Sequence, residues 1–154
     1  MSVRVHREVP ADELSDEAIR AAVRAALEHG GVSGRTVDVV LVDEPTLTEL
    51  HGRFLDDPTP TDVIAFELGE GDEEDGDPWG EVYVSVDRAR EVAGRRGVEP
   101  ARELALYCVH GTLHLVGFDD IDPEDRARMR DAEALVMSSL GYAADVAPHE
   151  MDGA

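Results

Sequence analysis

One segment of the chain, HGTLHLVGFDD at residues 110–120, limits the structures that this sequence can adopt more than any other. His110 and His114 lie four residues apart in a stretch that is otherwise rich in leucine and valine. On an α-helix this spacing places both imidazoles on one face, one turn apart. Burying two imidazoles among apolar side chains is costly unless they share a polar partner. The segment therefore predicts a buried helix whose two histidines bind one metal ion.

The end of this helix predicts a third ligand. Gly117 stands three residues after His114 and is typical of a helix terminus. In a continuous helix Asp120 would point away from the histidine face, whereas a chain reversal at the glycine brings it back. We therefore expect His110, His114 and Asp120 to bind a metal ion with a fourth position open, as in catalytic sites. The alternative is that both histidines are ordinary core or surface residues.

The remaining periodicity predicts a single α+β domain over residues 1–154, with a mixed sheet of about four strands surrounded by helices. The metal helix, similar to that of zinc hydrolases, is expected near its centre. An acidic, glycine-rich stretch at 69–79 predicts a solvated loop, and 143–154 predicts a frayed tail. The strands are predicted at 2–7, 36–43, 62–68 and 80–86, and the helices at 15–30, 45–54, 87–96, 100–116 and 123–140.

The charge of the chain restricts its partners. Asp and Glu number 35 against 14 basic residues, all of them Arg, which gives a net charge of -21. A field this negative repels nucleic acid at low salt and favours solubility, so charge alone disfavours an RNA partner. The absence of lysine indicates either a codon bias or adaptation to a salty cytoplasm, in which repulsion between carboxylates is screened.

Other sequence features indicate a cytoplasmic protein. No apolar run approaches the roughly 18–20 residues that a membrane span requires. The first residues, MSVRVHREVPADE, lack the apolar core of a signal peptide. A single cysteine, Cys108, cannot form an internal disulfide, and its place on the metal helix favours the core. We expect neither a membrane partner nor a nucleotide cofactor.

The metal-ligand pattern resembles that of zinc metalloproteases, with one difference. Those enzymes carry a glutamate directly after the first histidine, and this glutamate is the general base. Here the equivalent residue is Gly111, which can neither polarise nor deprotonate a water molecule. The pattern therefore predicts a metal site that lacks the base of a peptidase.

Three blocks of sequence resemble the YbeY family of bacterial rRNA maturation factors and endoribonucleases. The segment from His110 onward is similar to the family signature His-Gly-x-Leu-His-Leu-x-Gly-[Tyr/Phe]-Asp-His, with Asp120 in place of the last histidine. PTDVIAF at 60–66 resembles Pro-Thr-Asp-Val-Leu-Ser-Phe, and GEVYVSVDRA at 80–89 resembles a Gly-Asp-Ile-x-Ile-Ser strand and the helix after it. The order and spacing of the blocks extend the resemblance to nearly the whole chain.

The resemblance implies a metal-dependent, single-strand-type endoribonuclease that acts in ribosomal RNA maturation and ribosome quality control. It implies ribosomal RNA and the small ribosomal subunit as partners, and one zinc ion per chain bound by His110, His114 and Asp120. Because two histidines and a carboxylate also suit iron or manganese, those metals stay open. Two alternatives remain: a metallopeptidase-like hydrolase, and a ribosome-associated RNA-binding protein with a structural metal.

The residues that contact RNA are predicted less sharply. Family members often carry a functional arginine where this chain has Leu55, and Arg53 is the nearest candidate to replace it. Asp119 adjoins the site without an assigned role, so no general base is identified. A cluster of arginines before the metal helix could bind phosphate, or could form a solvated face paired with glutamates. These candidates are Arg88, Arg90, Arg95, Arg96 and Arg102, with Arg126, Arg128 and Arg130 as a weaker second group.

Overall fold

A computed structural model describes residues 2–55, 62–69 and 78–142, without the side chains of residues 54 and 55. Several predictions concern residues that it leaves out. These are most of the acidic loop at 69–79, the tail at 143–154, the first two residues of the block at 60–66, and the side chain of Leu55. No helix in the described ranges combines the length and apolar character that crossing a bilayer requires.

Four strands of the described chain form one mixed sheet. The sheet has the order β1-β2-β4-β3, in which β1, β2 and β4 run parallel and the edge strand β3 pairs antiparallel with β4. Every residue of β2 is buried, as expected for a central strand covered on both faces. The predicted mixed four-stranded sheet is therefore confirmed. The strands are β1 (Ser2–Arg7), β2 (Thr36–Val42), β3 (Val63–Glu67) and β4 (Gly80–Ser85).

Five helices accompany the sheet in the described part of the chain. Four begin at side-chain caps, in which Ser15, Asp43, Ser85 and Asp122 accept hydrogen bonds from backbone N–H groups of the first turn. Observed boundaries lie within one or two residues of those predicted from periodicity. The helices are α1 (Asp16–His29), α2 (Glu44–Leu55), α3 (Val86–Arg96), α4 (Pro100–Leu115) and α5 (Pro123–Ser139).

Helix α4 lies at the centre of the domain, as the sequence predicted for the metal helix. It packs against α1, α3, α5, β3 and β4, and nearly all of its side chains are buried. Gly111 allows this close approach: a Cβ atom there would lie 2.6 Å from Val82 Cγ1 and 2.8 Å from Val63 Cγ2. The opposite face of the sheet carries α2 and a smaller apolar cluster around Leu47 and Ile64. Contact with β3 and β4 therefore determines how closely the helix that carries the histidines approaches the sheet.

Candidate metal centre

The three predicted ligands meet at the C-terminal end of α4. The Nε2 atoms of His110 and His114 lie 3.0 Å apart. Asp120 places one carboxylate oxygen 3.5 Å from His110 Nε2 and the other 3.6 Å from His114 Nε2. One donor atom from each residue lies within 4.8 Å of the others. Within the described residues, the structure thus brings together two nitrogens and one oxygen that can hold a metal ion.

A tight turn after α4 returns Asp120 to the histidines. Gly117 has φ of +103°, a left-handed conformation that glycine adopts without steric cost. Its N–H donates to the carbonyl of His114 at 3.2 Å, and the N–H of Phe118 donates to the carbonyl of Leu113 at 3.0 Å. These bonds close the last turn of the helix and reverse the chain. The chain reversal predicted at Gly117 is observed.

Two further side chains hold the turn that carries Asp120. The Asp119 carboxylate accepts the backbone N–H groups of Asp120 at 2.7 Å and Ile121 at 3.3 Å. From the other side, the Arg126 guanidinium donates to the carbonyls of Asp120 at 3.2 Å and Ile121 at 3.1 Å. Asp119 and Arg126 therefore fix the backbone beside the third ligand, which gives both residues a structural role.

A buried glutamate that the sequence analysis missed contacts the other side of His110. Glu133 of α5 is 3% exposed, and its Oε2 atom lies 2.5 Å from His110 Nδ1. The same oxygen accepts a hydrogen bond of 2.8 Å from Arg130 Nη1. One signal could have identified this residue: Glu133 interrupts the apolar face of α5 formed by Met129, Ala132, Val136 and Met137. An acidic residue at such a buried position requires a polar partner.

The surroundings of His114 favour its neutral form. Burial, followed by the adjacent His110, lowers the pKa of His114, while Asp120 opposes this shift. A neutral imidazole is the form that binds a metal ion. Two neutral imidazoles and one carboxylate form a donor set that suits zinc, and also iron or manganese. The residues present therefore fit a divalent cation.

An open groove of about 260 Å³ leads to His114. One wall is the edge strand β3, which contributes Val63, Ala65 and Glu67, and the other is α4, which contributes Gly111, His114 and Leu115. The side chain of His114 is 19% exposed, whereas that of His110 is fully buried. A substrate in this groove would reach the cluster from the side of His114.

A buried ion pair lies at the start of β3, the strand that forms one wall of the groove. Asp62 is 2% exposed, and its Oδ1 atom lies 3.0 Å from Arg88 Nε. Burial raises the pKa of Asp62 to about 6, although the Arg88 charge and hydrogen bond act in the opposite direction. The Asp62 carbonyl also accepts the N–H of Ser85, which ties the start of β3 to the end of β4. Arg88 thus anchors β3 to α3.

The remaining arginines of the predicted RNA-binding cluster occupy different environments. Arg96 lies 2.5 Å from the buried carboxylate of Glu103, which is the glutamate pairing that the sequence left open. Arg90 lies 2.5 Å from Glu13 Oε1 on the surface, and Arg102 is half-buried on α4. Arg95 is exposed in the last turn of α3. A phosphate-binding role for these residues stays a prediction, and Arg90 and Arg95 are the two that are exposed.

Two other residues have a clear placement. Arg53 is exposed in the last turn of α2, and its predicted role also stays untested. Cys108 is fully buried in the core, and burial raises the pKa of its thiol to about 12. The expectation that Cys108 belongs to the core and is not a ligand agrees with this position.

Comparisons with known proteins show one family. The sequence profile of the family described as Endoribonuclease YbeY matches residues 4–141. Proteins named Endoribonuclease YbeY from Carboxydothermus hydrogenoformans and Symbiobacterium thermophilum are 35% and 37% identical, over 86% and 84% of this chain and 91% and 88% of theirs. The relative from Salinibacter ruber is 34% identical over 88% of this chain and 90% of its own. The solution structure of TM1509 from Thermotoga maritima is similar with a TM-score of 0.58 and 25% identity, covering 89% of this chain and 90% of that one.

Proposed function

The chain belongs to the Endoribonuclease YbeY family, and on this premise we propose that it is a metal-dependent endoribonuclease. The observation that carries the proposal is the meeting of His110, His114 and Asp120, with one donor atom from each within 4.8 Å, at the end of an open groove. We propose zinc as the resident ion, one per chain. When bound, such an ion supplies Lewis acidity toward a phosphodiester oxygen.

The groove beside the ion site and an exposed arginine farther along the domain would both contact the RNA strand. The groove between β3 and α4 would hold the RNA strand beside His114, because His114 is the candidate ligand that lines it. Arg95 is exposed in the last turn of α3, nearer the N-terminal end of α4 than the ligands at its C-terminal end. It would contact a phosphate of the strand away from the ion, for which the guanidinium geometry is well suited. Arg88 and Arg96 would support this arrangement indirectly, since each neutralises a buried carboxylate.

The biological setting that we propose follows from the family resemblance. It is the maturation of ribosomal RNA and the quality control of ribosomes in the cytoplasm, with the small ribosomal subunit as partner. The names of the relatives support endoribonuclease activity. The assignment to ribosomal RNA depends on the resemblance of the three sequence blocks.

The structure counts against the alternative of a peptidase. In a zinc metalloprotease the residue after the first histidine is the general base. Here the corresponding Gly111 faces β3 and β4, where even a Cβ atom would approach Val82 Cγ1 to 2.6 Å. A glutamate side chain has no room at this position unless α4 moves away from the sheet. The site therefore has the ligands of a metallohydrolase without space for that base.

Metal analysis of the purified protein, followed by cleavage assays with and without a chelator, tests the proposal. We expect RNA to be cleaved, casein to remain intact, and the chelator to stop cleavage. His114→Ala should abolish both metal retention and RNA cleavage. His6→Ala is the matched control, because it removes an imidazole from β1, at the opposite edge of the sheet. Casein cleavage would support a peptidase, and RNA binding without turnover, with unfolding on metal loss, would support a structural metal.

A further inference from the structure

One of the two histidines is held at the ring nitrogen that does not face the cluster. His110 is held at Nδ1 by the Glu133 carboxylate, at 2.5 Å, and its ring is fully buried. The side chain of His114, by contrast, is 19% exposed. The two Nε2 atoms point toward each other and toward Asp120. The two histidines thus differ: His110 is buried and oriented by an ionisable side chain, whereas His114 is partly exposed.

A carboxylate at Nδ1 determines which nitrogen of His110 carries hydrogen. An ionised carboxylate can only accept hydrogen bonds, so a neutral His110 must place its hydrogen on Nδ1. The lone pair of Nε2 is then directed at the position between His114 and Asp120. Carboxylates in this arrangement fix the tautomer and orientation of a metal-binding histidine and strengthen it as a ligand.

Arg130 holds the glutamate itself in place. Its Nη1 atom donates to the same Oε2 atom that contacts His110, at 2.8 Å, and its side chain is 25% exposed. A buried carboxylate without a charged partner would be costly, and the arginine compensates that cost at the rim of the site. This contact gives Arg130, a weak candidate for RNA binding, a different role.

We propose that Glu133, held by Arg130, is a positioning residue that fixes His110 in the tautomer that binds the metal ion through Nε2. The proposal rests on the proposed metal site and does not depend on which RNA is cleaved. It assigns a role in metal retention to α5, a helix that contributes none of the three ligands. The contacts that link Arg130 to Glu133 and Glu133 to His110 extend the site from α4 to α5.

The test measures zinc affinity by competition with a chromophoric chelator, on the full chain, in Glu133→Gln and Asp131→Asn. Both variants remove one negative charge from α5, and Asp131 is an exposed residue with no contact to His110 in the structure. Glu133→Gln should bind zinc about 10–100-fold more weakly than the wild-type protein, and Asp131→Asn should match the wild type. Long-range nitrogen–proton NMR spectra of the metal-free protein should show His110 with hydrogen on Nδ1 in the wild type and a mixture of tautomers in Glu133→Gln.

Each result decides the proposal. Equal zinc affinity in Glu133→Gln and Asp131→Asn would overturn it, as would weaker binding with an unchanged His110 tautomer. If Glu133→Gln does not fold, Arg130→Gln perturbs the same carboxylate from the rim, and wild-type zinc affinity in that variant would refute the chain of contacts. A wild-type protein that binds no zinc would refute the metal site itself, which separates that failure from the failure of the role of Glu133.

Discussion

Replacing Gly111 by alanine tests whether the metal helix needs a glycine where it meets the sheet. A methyl group there would lie 2.6 Å from Val82 Cγ1 and 2.8 Å from Val63 Cγ2, distances that force atoms to move. Both neighbours are short β-branched side chains on adjacent strands, with little freedom to rotate away. We therefore expect the helix to shift outward and to change the position of His110 relative to Glu133 of α5, which orients it.

The magnitude follows from two opposing effects. Alanine is favoured over glycine inside a helix by about 1 kcal/mol, whereas overpacking a core costs about 1–3 kcal/mol. Gly94 in α3 offers a matched control, because it is also helical and a Cβ there would meet nothing within 4 Å. Gly94→Ala should stabilise the protein by about 0.5–1 kcal/mol. Since helix propensity acts on both variants, Gly111→Ala should be about 1–3 kcal/mol less stable than Gly94→Ala, the overpacking cost alone.

Thermal unfolding of the two variants under identical conditions is the measurement. For a chain of this length 1 kcal/mol corresponds to about 2–4 °C in Tm, so the difference is readily resolved. Zinc affinity measured on the same samples reports whether the ligands have moved. A Gly111→Ala protein as stable as Gly94→Ala, with unchanged zinc affinity, would show that the contact with β3 and β4 does not set the position of α4.

Three further outcomes are expected. His114→Ala should lose the single equivalent of zinc that we expect in the wild type, whereas Asp120→His, which restores the common family ligand, should retain it; metal content of the purified variants decides both. Melting temperature should rise between about 0.1 M and 1 M monovalent salt, because screening weakens repulsion among 35 carboxylates, and a fall would contradict this. Burial raises the pKa of Asp62 to about 6, so its carboxyl holds a proton at higher pH in the folded chain than in the unfolded one. The stability it contributes is therefore present at low pH and lost as pH rises. In metal-free protein, wild-type stability relative to Asp62→Asn should fall by about 2 kcal/mol between about pH 4 and pH 7.

The meeting of His110, His114 and Asp120 was predictable because its signal is local. His110 and His114 are related by one helical turn, and Gly117 provides a chain reversal within the next few residues. Each step depends on backbone geometry that a short segment determines on its own. The strands were predictable for the same reason, since alternation and β-branched runs reflect the two faces of each strand.

Contacts between distant segments could not be predicted in this way. Glu133 lies 23 residues from His110, and no pattern in the sequence states that α5 crosses α4 at that point. Arg90 lies 77 residues from Glu13, so sequence alone shows an arginine without showing its partner. The arginine cluster was therefore identified as a group, although the packing of the helices gives its members different environments.

The placement of these arginines bears on how so acidic a chain can bind RNA. Arg88, Arg96 and Arg130 each neutralise a buried carboxylate on α4 or next to it, namely Asp62, Glu103 and Glu133. Arginine suits this role better than lysine, since its guanidinium stays charged and forms several directed hydrogen bonds.

Arginines that neutralise buried carboxylates add little attraction for phosphate. A metal ion at the cluster would instead place positive charge where a phosphodiester must approach. For this reason metal removal should weaken RNA binding as well as cleavage. If the metal-free protein binds RNA as tightly as the zinc-loaded protein at the same salt concentration, exposed arginines such as Arg95 carry the attraction and the ion does not.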